Sequence, residues 1–545
     1  MASDPGAFAI TQFSDSEAHT LTPFFSNMDR NVFVLLNLPE VIKGTLFSRY
    51  SRSDKSARKL LLDEFIPNKD ILNIIQAETK SLDSALAVSK AEDFYQRVLV
   101  GYGDDSVAEL AGAHIACENV SSLAGDYLTD SRIGLSYLEK SARYIPFDKM
   151  VNGKYLWYRD QKLMESKFGD MYEKAMDNTF ELYSKWLPQV ISYIKEVTPK
   201  TAESTDRAYE SAVRAKACDV LKNMLTAGRL TNVGIFGNGR AFEYLISKLY
   251  SCDLPEANRL AQEMHAELSH VIPAFVRRSQ PSEYVIGTRT SAQSFARQES
   301  GSKVTSEGKA LLRLVDYDRD AEVKVLAAMM YPYSGLQLSE LRKKVEAMPQ
   351  DKRKELIKTY LSKRRNRRDK PGRALENASY TFEMVASYGA FRDVHRHRIL
   401  SLERQMLNTD LGFEVPEELE SVGLVGEYQK FMKEIGEVHK KIAAGMPVEA
   451  QYVVPRAYLL RWYIKLNLRE VYHFTELRST KQGHPDYRKI AQEMKRQIEA
   501  VHPSLIEHMQ VDMNDYTLPR MESENRIDRK LAELDKKKED APMQN

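Results

Sequence analysis

The sequence predicts an α+β protein of two homologous domains, each a small mixed sheet packed with long helices. Three ordered pairings predict it. SVAEL around Glu109 is followed 23 residues on by Arg132 in SRIGLSYLEKSARY, and GRALEN around Glu376 is followed 22 residues on by Arg398 in HRHRILSLERQ. Later, NVGIFGNGRAFEYLISKL around Asn238 and KLNLREVYHFTELRS around Asn467 each set Asn-x-Arg ahead of an amphipathic stretch. A chain of 545 residues is long for one core and suits two domains.

In chain order, residues 1–30 are polar and turn-rich and read as a flexible arm. The first domain spans 31–278, with helical apolar spacing at Asp54–Phe65, Lys90–Gly101, Ala108–Leu128, Phe168–Val197 and Ala241–Phe275. Residues 279–309 are rich in Ser, Thr, Gly and Gln and poor in core residues, as a linker should be. The second domain, 310–521, opens on the alternating strand pattern LLRLVDY and the helical AEVKVLAAMMYPYS. The last segment, 522–545, is almost all charge and reads as a tail, either solvated helix or disorder.

Composition excludes several classes. Apolar residues make up 43% and charged residues 29%, with a formal charge of +2, so the whole-chain charge carries no nucleic-acid signal and any basic surface must be local. No run of about 18 apolar residues exists and the start lacks a signal peptide's blocks, so no membrane partner and a cytoplasmic location are expected. Cys117, Cys218 and Cys252 are too few for a disulfide framework or a zinc knuckle. His395-x-His397 and His265-x4-His270 have metal-like spacing without further ligands nearby, and no metal site is expected.

The candidate chemistry is cationic. Arg396-His397-Arg398 sets two phosphate-matching guanidinium forks around an imidazole, although a salt-bridged strand end has the same sequence. If Leu138–Tyr144 is extended, Glu139, Ser141 and Arg143 project on one side and suit a nucleotide monophosphate; a surface strand with a Glu–Arg pair is the plainer meaning. On a helix from Leu459 to Leu477, Arg461, Lys465 and Arg469 would share a face, closed by Arg478. Glu109 and Glu376 are either helix-start residues or ligand contacts. The basic stretch 352–373 suits an anionic cofactor or substrate, with RNA as the alternative; nucleic acid remains the less expected partner.

HRHRILS resembles the RHRxxS signature of the flavin-dependent thymidylate synthases, and SYLEKSARY is similar to the ELSGRY segment that follows it there. SVAEL and GRALE resemble the family's acidic motif, AQYVVP its ARxxLP segment, and NGR, NLR and ELRS its later Asn-x-Arg and nucleotide-binding arginine. The resemblance covers most of both halves, as in a tandem version of a one-unit enzyme. It implies that dUMP is methylated to dTMP, with methylenetetrahydrofolate and NADPH as co-substrates and FAD as cofactor. It assigns flavin contacts to Arg396, His397, Arg398, Ser106, Glu109, Arg373, Glu376, Asn238, Arg240, Asn467 and Arg469, and dUMP contacts to Glu139, Ser141, Arg143, Ser401 and Arg478. Arg396, His397, Arg478 and Ser141 would be the catalytic set.

The departures from the pattern are complementary. The first half reads Asp130-Ser131-Arg132 for RHR and Tyr250 for the late arginine; the second reads Met406 and Asn408 in the phosphate loop and Gln451 for the ARxxLP arginine. Composite sites are therefore expected, the first half lending the phosphate loop and the second the RHR and Arg478, in a homodimer forming a pseudo-tetramer. The alternatives are a non-catalytic flavin- or nucleotide-binding paralogue, and a flavin- and folate-dependent methyltransferase acting on RNA uridine.

Overall fold

The computed structural model describes residues 12–69, 108–300 and 311–539. Two sheets organise them. The first is three-stranded, in the order β1 (Gly112–Ser121), β3 (Leu230–Asn238), β2 (Leu135–Glu139); the second is four-stranded, in the order β4 (Leu312–Tyr317), β5 (Ser379–Ser387), β7 (Leu459–Asn467), β6 (Leu400–Arg404). The order β1-β3-β2 matches β5-β7-β6. The second sheet is antiparallel throughout, not mixed as expected, and β2 also pairs antiparallel with β3, Glu139 lying opposite Val233.

The described residues fall into two compact units that interleave in sequence: 12–69, 108–118, 127–139 and 232–300 form one, and 119–126, 140–231 and 311–539 the other. The second therefore contains Ser141 and Arg143 together with the whole HRHR segment.

Strand burial explains the sheets. In β7, Leu460, Trp462, Ile464 and Leu466 face the core and Arg461, Tyr463 and Lys465 face out, and β3 repeats that pattern position for position. The helix expected over Leu459–Leu477 is thus a strand followed by the helix Leu468–Arg478. A spacing of four is two strand periods as well as about one helical turn, so Arg461 and Lys465 share a face in either state. For the same reason Ala108–Leu128 resolves into β1 and the helix Ser122–Asp130. The helix Gly169–Val197 forms as expected, burying Tyr172, Met176, Phe180, Tyr183, Trp186, Val190 and Ile194 at helical spacing.

Two further expectations change. The 279–309 segment carries a helix, Glu283–Glu299, with no buried residue and Ser282 as its N-cap. The arm forms a short helix, Asp15–Leu21, started by a Ser14/Glu17 capping box. Of the two readings of the charged tail the helical one holds, over Met521–Glu539, where Asp528 accepts from Thr205 and pairs with Arg207. Lys90–Gly101 lies outside the described residues. No helix among the described residues is long and apolar enough to cross a membrane.

Candidate nucleotide site

The site is built on the helix Leu468–Arg478. Asn467 ends β7 in extended conformation and its Oδ1 accepts from the Glu470 amide at 2.9 Å, capping the helix. An acidic residue in the first turn and an arginine in the last both suit the helix dipole. Glu470, Phe474 and Arg478, four residues apart, form one stripe.

His397 lies along that stripe. Its Nδ1 is 2.8 Å from Glu470 Oε1, its ring is 4.5 Å from that of Phe474, and its Nε2 is 2.9 Å from Arg478 Nε. The helix Tyr388–Val394, just before the HRHR turn, is held from the first half of the sequence: Asp126 accepts from Tyr388 Oη at 2.6 Å and from Arg392 Nε at 2.7 Å. His395 turns away and stacks on Phe391 at 5.2 Å, so the two histidines do not act as a pair.

Electrostatically the site is unusual. Glu470 and His397 are buried, and burial holds the Glu470 carboxyl up at about 7 against the pull of Lys370, Arg478 and Arg469. Burial also lowers Arg478 from the usual guanidinium range, against the pull of Tyr487, Asp393 and Glu470 and with Arg396 pushing the same way. Arg478 makes no ion pair among the described residues; it donates to an imidazole and lies over the Tyr487 ring at 5.6 Å.

Tyr487 joins the two halves of the sequence. Arg143 Nη1 donates to Tyr487 Oη at 3.3 Å. The strand ends at Glu139, so Ser141 and Arg143 lie in a turn rather than on one strand face, and Ser141 Oγ accepts from the Arg143 amide at 3.3 Å. The Nε/Nη2 edge of Arg143 is taken by Asp219 at 2.7 and 2.9 Å, which holds that buried carboxyl down at about 2 despite its desolvation. Asp219 also lines a cavity of about 300 Å³ with Glu414, Asp486, His484, Lys216 and Lys489.

The other expected contacts are spread more widely. Asn238 and Asn467 both cap helices, Asn238 Oδ1 accepting from the Ala241 amide at 2.8 Å. Their arginines meet the acidic motifs: Arg240 pairs with Glu109 at 2.9 Å and Arg469 with Glu376 at 2.8 Å, while Arg373 reaches Glu376 at 3.3 Å. Arg398 is exposed, and Ser401 faces out on β6 opposite Lys465. Ser106 lies outside the described residues. Glu470, Tyr487 and Asp219 were not singled out from sequence; only Glu470 carries a signal, an acid three residues past an Asn-cap, and that is ordinarily a helix-start residue.

His397, Glu470 and His473 turn ligand-type atoms to within 4.8 Å of one another. Arg478 occupies one of them, and Lys370 Nζ lies 3.0 Å from His473 Nδ1. Two fixed cations oppose a metal ion there. Arg478, half-buried and in no ion pair among the described residues, offers a guanidinium edge that an anion could accept from.

The family model described as thymidylate synthase complementing protein matches residues 57–274 and again 313–504. The chain belongs to that family. A "UPF0159 protein" of Chlamydia muridarum is 41% identical over 525 residues, covering 94% of this chain and 98% of that protein. A flavin-dependent thymidylate synthase of Geobacter sulfurreducens is 26% identical over 204 residues, 36% of this chain and 84% of that one. Among solved structures, the flavin-dependent thymidylate synthase ThyX of Helicobacter pylori, complexed with FAD and dUMP, covers 37% of this chain and 99% of its own at 18% identity and a TM-score of 0.29. Two separate matches of one family model accord with the paired motifs in the sequence.

Proposed function

We propose that the protein is a flavin-dependent thymidylate synthase that methylates dUMP to dTMP at a composite site. The observation that carries the reading is Arg478, a half-buried guanidinium beside Arg396 that makes no ion pair among the described residues, on a helix from the second half. Arg143, from the first half, meets the same Tyr487. Arg396 and Arg478 would hold the anionic nucleotide and draw electron density from its pyrimidine. Arg143 would be steadied by Asp219, and Ser141 would brace the turn that carries it. Arg398 and Arg396 would hold the phosphates of FAD, which when bound supplies the hydride, after reduction by NADPH, while methylenetetrahydrofolate supplies the carbon.

The chain offers no activated thiol for a covalent route: burial pushes Cys117 and Cys218 up to about 11. In this reading the halves 31–278 and 310–521 are homologous domains, and two chains pair as a pseudo-tetramer. A second reading, methylation of RNA uridine, draws on the basic loop: Arg364 is anchored on Glu476 at 2.8 Å, leaving Arg365, Arg367, Arg368 and Lys370 exposed.

The test is the visible spectrum of the purified protein, with tritium release from 5-tritiated dUMP in the presence of NADPH and methylenetetrahydrofolate. Bound flavin with release is expected. Flavin without release would leave a binding paralogue, and release from RNA uridine but not from dUMP would favour the second reading. Mixing Arg143→Ala with Arg396→Ala chains should restore no activity where both residues serve one site in one chain; rescue would mean that sites form across chains.

A further inference from the structure

Glu470 is the group the proposed reaction does not use. It lies at the far end of a continuous chain, Glu470 Oε1 to His397 Nδ1 at 2.8 Å and His397 Nε2 to Arg478 Nε at 2.9 Å. An arginine Nε–H can only donate, so His397 Nε2 must present its lone pair. Its proton therefore sits on Nδ1 and is donated to Glu470. One arrangement satisfies all three groups: ionised carboxylate, neutral imidazole, guanidinium.

We propose that Glu470 is a positioning residue of the nucleotide site, fixing the tautomer of His397 and, through that ring, the aim of the Arg478 guanidinium. The inference rests on reading Arg478 as the nucleotide-binding arginine. A protonated Glu470 can turn its own O–H toward Nδ1; the ring proton then moves to Nε2 and faces the Arg478 N–H, and the contact opens. A doubly protonated imidazole has the same effect. Arg478 would then turn from the direction in which it meets an anion.

The environment agrees. The charged and titratable groups facing Glu470 are Lys370 from the basic loop, His397 from the HRHR turn, and Arg469, His473 and Arg478 on its own helix, with Arg396, Asp393 and Tyr487 beside Arg478. Several are cations, yet burial still holds the carboxyl up at about 7, above its ordinary 4.5. For a carboxyl with a raised value, the favourable contribution is complete below 4.5 and lost as pH rises through about 7. Ionised Glu470 is thus a cost to folding at pH 8, as expected for a group kept for the site and not for the core.

The experiment compares full-length wild type, Glu470→Gln and Glu470→Asp for dUMP affinity and melting temperature between pH 6 and pH 8. Wild type should bind about tenfold more weakly at pH 6 than at pH 8, a difference of about 1.4 kcal/mol. Glu470→Gln should bind about tenfold more weakly at pH 8, lose the pH dependence, and melt no lower than wild type there; Glu470→Asp should restore part of the dependence. A wild-type pH profile in Glu470→Gln overturns the proposal, as does weakened binding with a lower melting temperature, which would make Glu470 structural only. Wild type that binds no dUMP at any pH overturns the nucleotide reading of Arg478 instead. In that case phenylglyoxal labelling of Arg478, read by peptide mass, decides the relay alone: a severalfold faster reaction in Glu470→Gln supports it, and an unchanged rate overturns it.

Discussion

The segments β3 to Tyr250 and β7 to Arg478 share one construction and differ in electrostatics. Each is a strand with the same burial pattern, an Asn N-cap, an Asn-x-Arg arginine paired with an upstream glutamate, and a helix closed by serine, Ser251 or Ser479. Three residues before that serine stands Lys248 in one and Glu476 in the other. Lys248 pairs with half-exposed Asp130 in the place of the first RHR arginine, and Tyr250 turns to His265 at 3.4 Å. Glu476 is instead buried against Arg364, and Arg478 makes no ion pair among the described residues. The scaffold is common to both; in the second the late position is a guanidinium that makes no ion pair among the described residues, and in the first it is Tyr250. That difference is what the proposed nucleotide site rests on.

The comparison can be broken in several places. The largest effect is expected from Arg364→Ala, which leaves Glu476 buried and unpaired and should lower the urea-unfolding free energy by about 3–5 kcal/mol. Lys248→Ala, at the other helix, should cost no more than about 1 kcal/mol because its pair is solvated; equal losses would mean that the two pairs do the same work.

Next comes activity. Arg478→Gln should reduce kcat/KM for tritium release by about 10²–10³-fold, as removal of a buried charge partner does, whereas Tyr250→Phe should stay within about twofold. A large effect from Tyr250 would show that the first copy also carries chemistry.

Arg143→Ala should cost about 2 kcal/mol at neutral pH, since it releases the Asp219 carboxyl from about 2 towards 3.8. A depressed carboxyl contributes above its unfolded value and loses that contribution as pH falls through its folded one. The gap between wild type and variant should therefore be full above about pH 4 and close towards pH 2, as followed by denaturation at stepped pH. The smallest effect, about 1 kcal/mol each, is expected for Asn238→Ala and Asn467→Ala, which both delete a helix cap; unequal losses would sharpen the comparison by showing that one asparagine has a duty beyond capping.

Much of this was legible without coordinates. The duplicated spacing of Glu109 and Glu376, the paired Asn-x-Arg elements and the complementary losses at Asp130, Tyr250 and Gln451 lie in residue identity and order, which local patterns preserve. So did the helix Gly169–Val197, whose apolar stripe runs long enough to exclude a strand. The strand identity of β1 and β7 was hidden, because spacings of four fit both periodicities and only pairing with a neighbour separates them. That Arg143 meets Asp219 and Tyr487, that Glu109 and Glu376 are ion-pair partners of the Asn-x-Arg arginines, and that Glu470 reaches His397, were decided by tertiary structure. Those contacts join residues tens to hundreds of positions apart, and their energetics depend on the fold: burial raises the Glu470 carboxyl, while Arg143 holds the equally buried Asp219 carboxyl down.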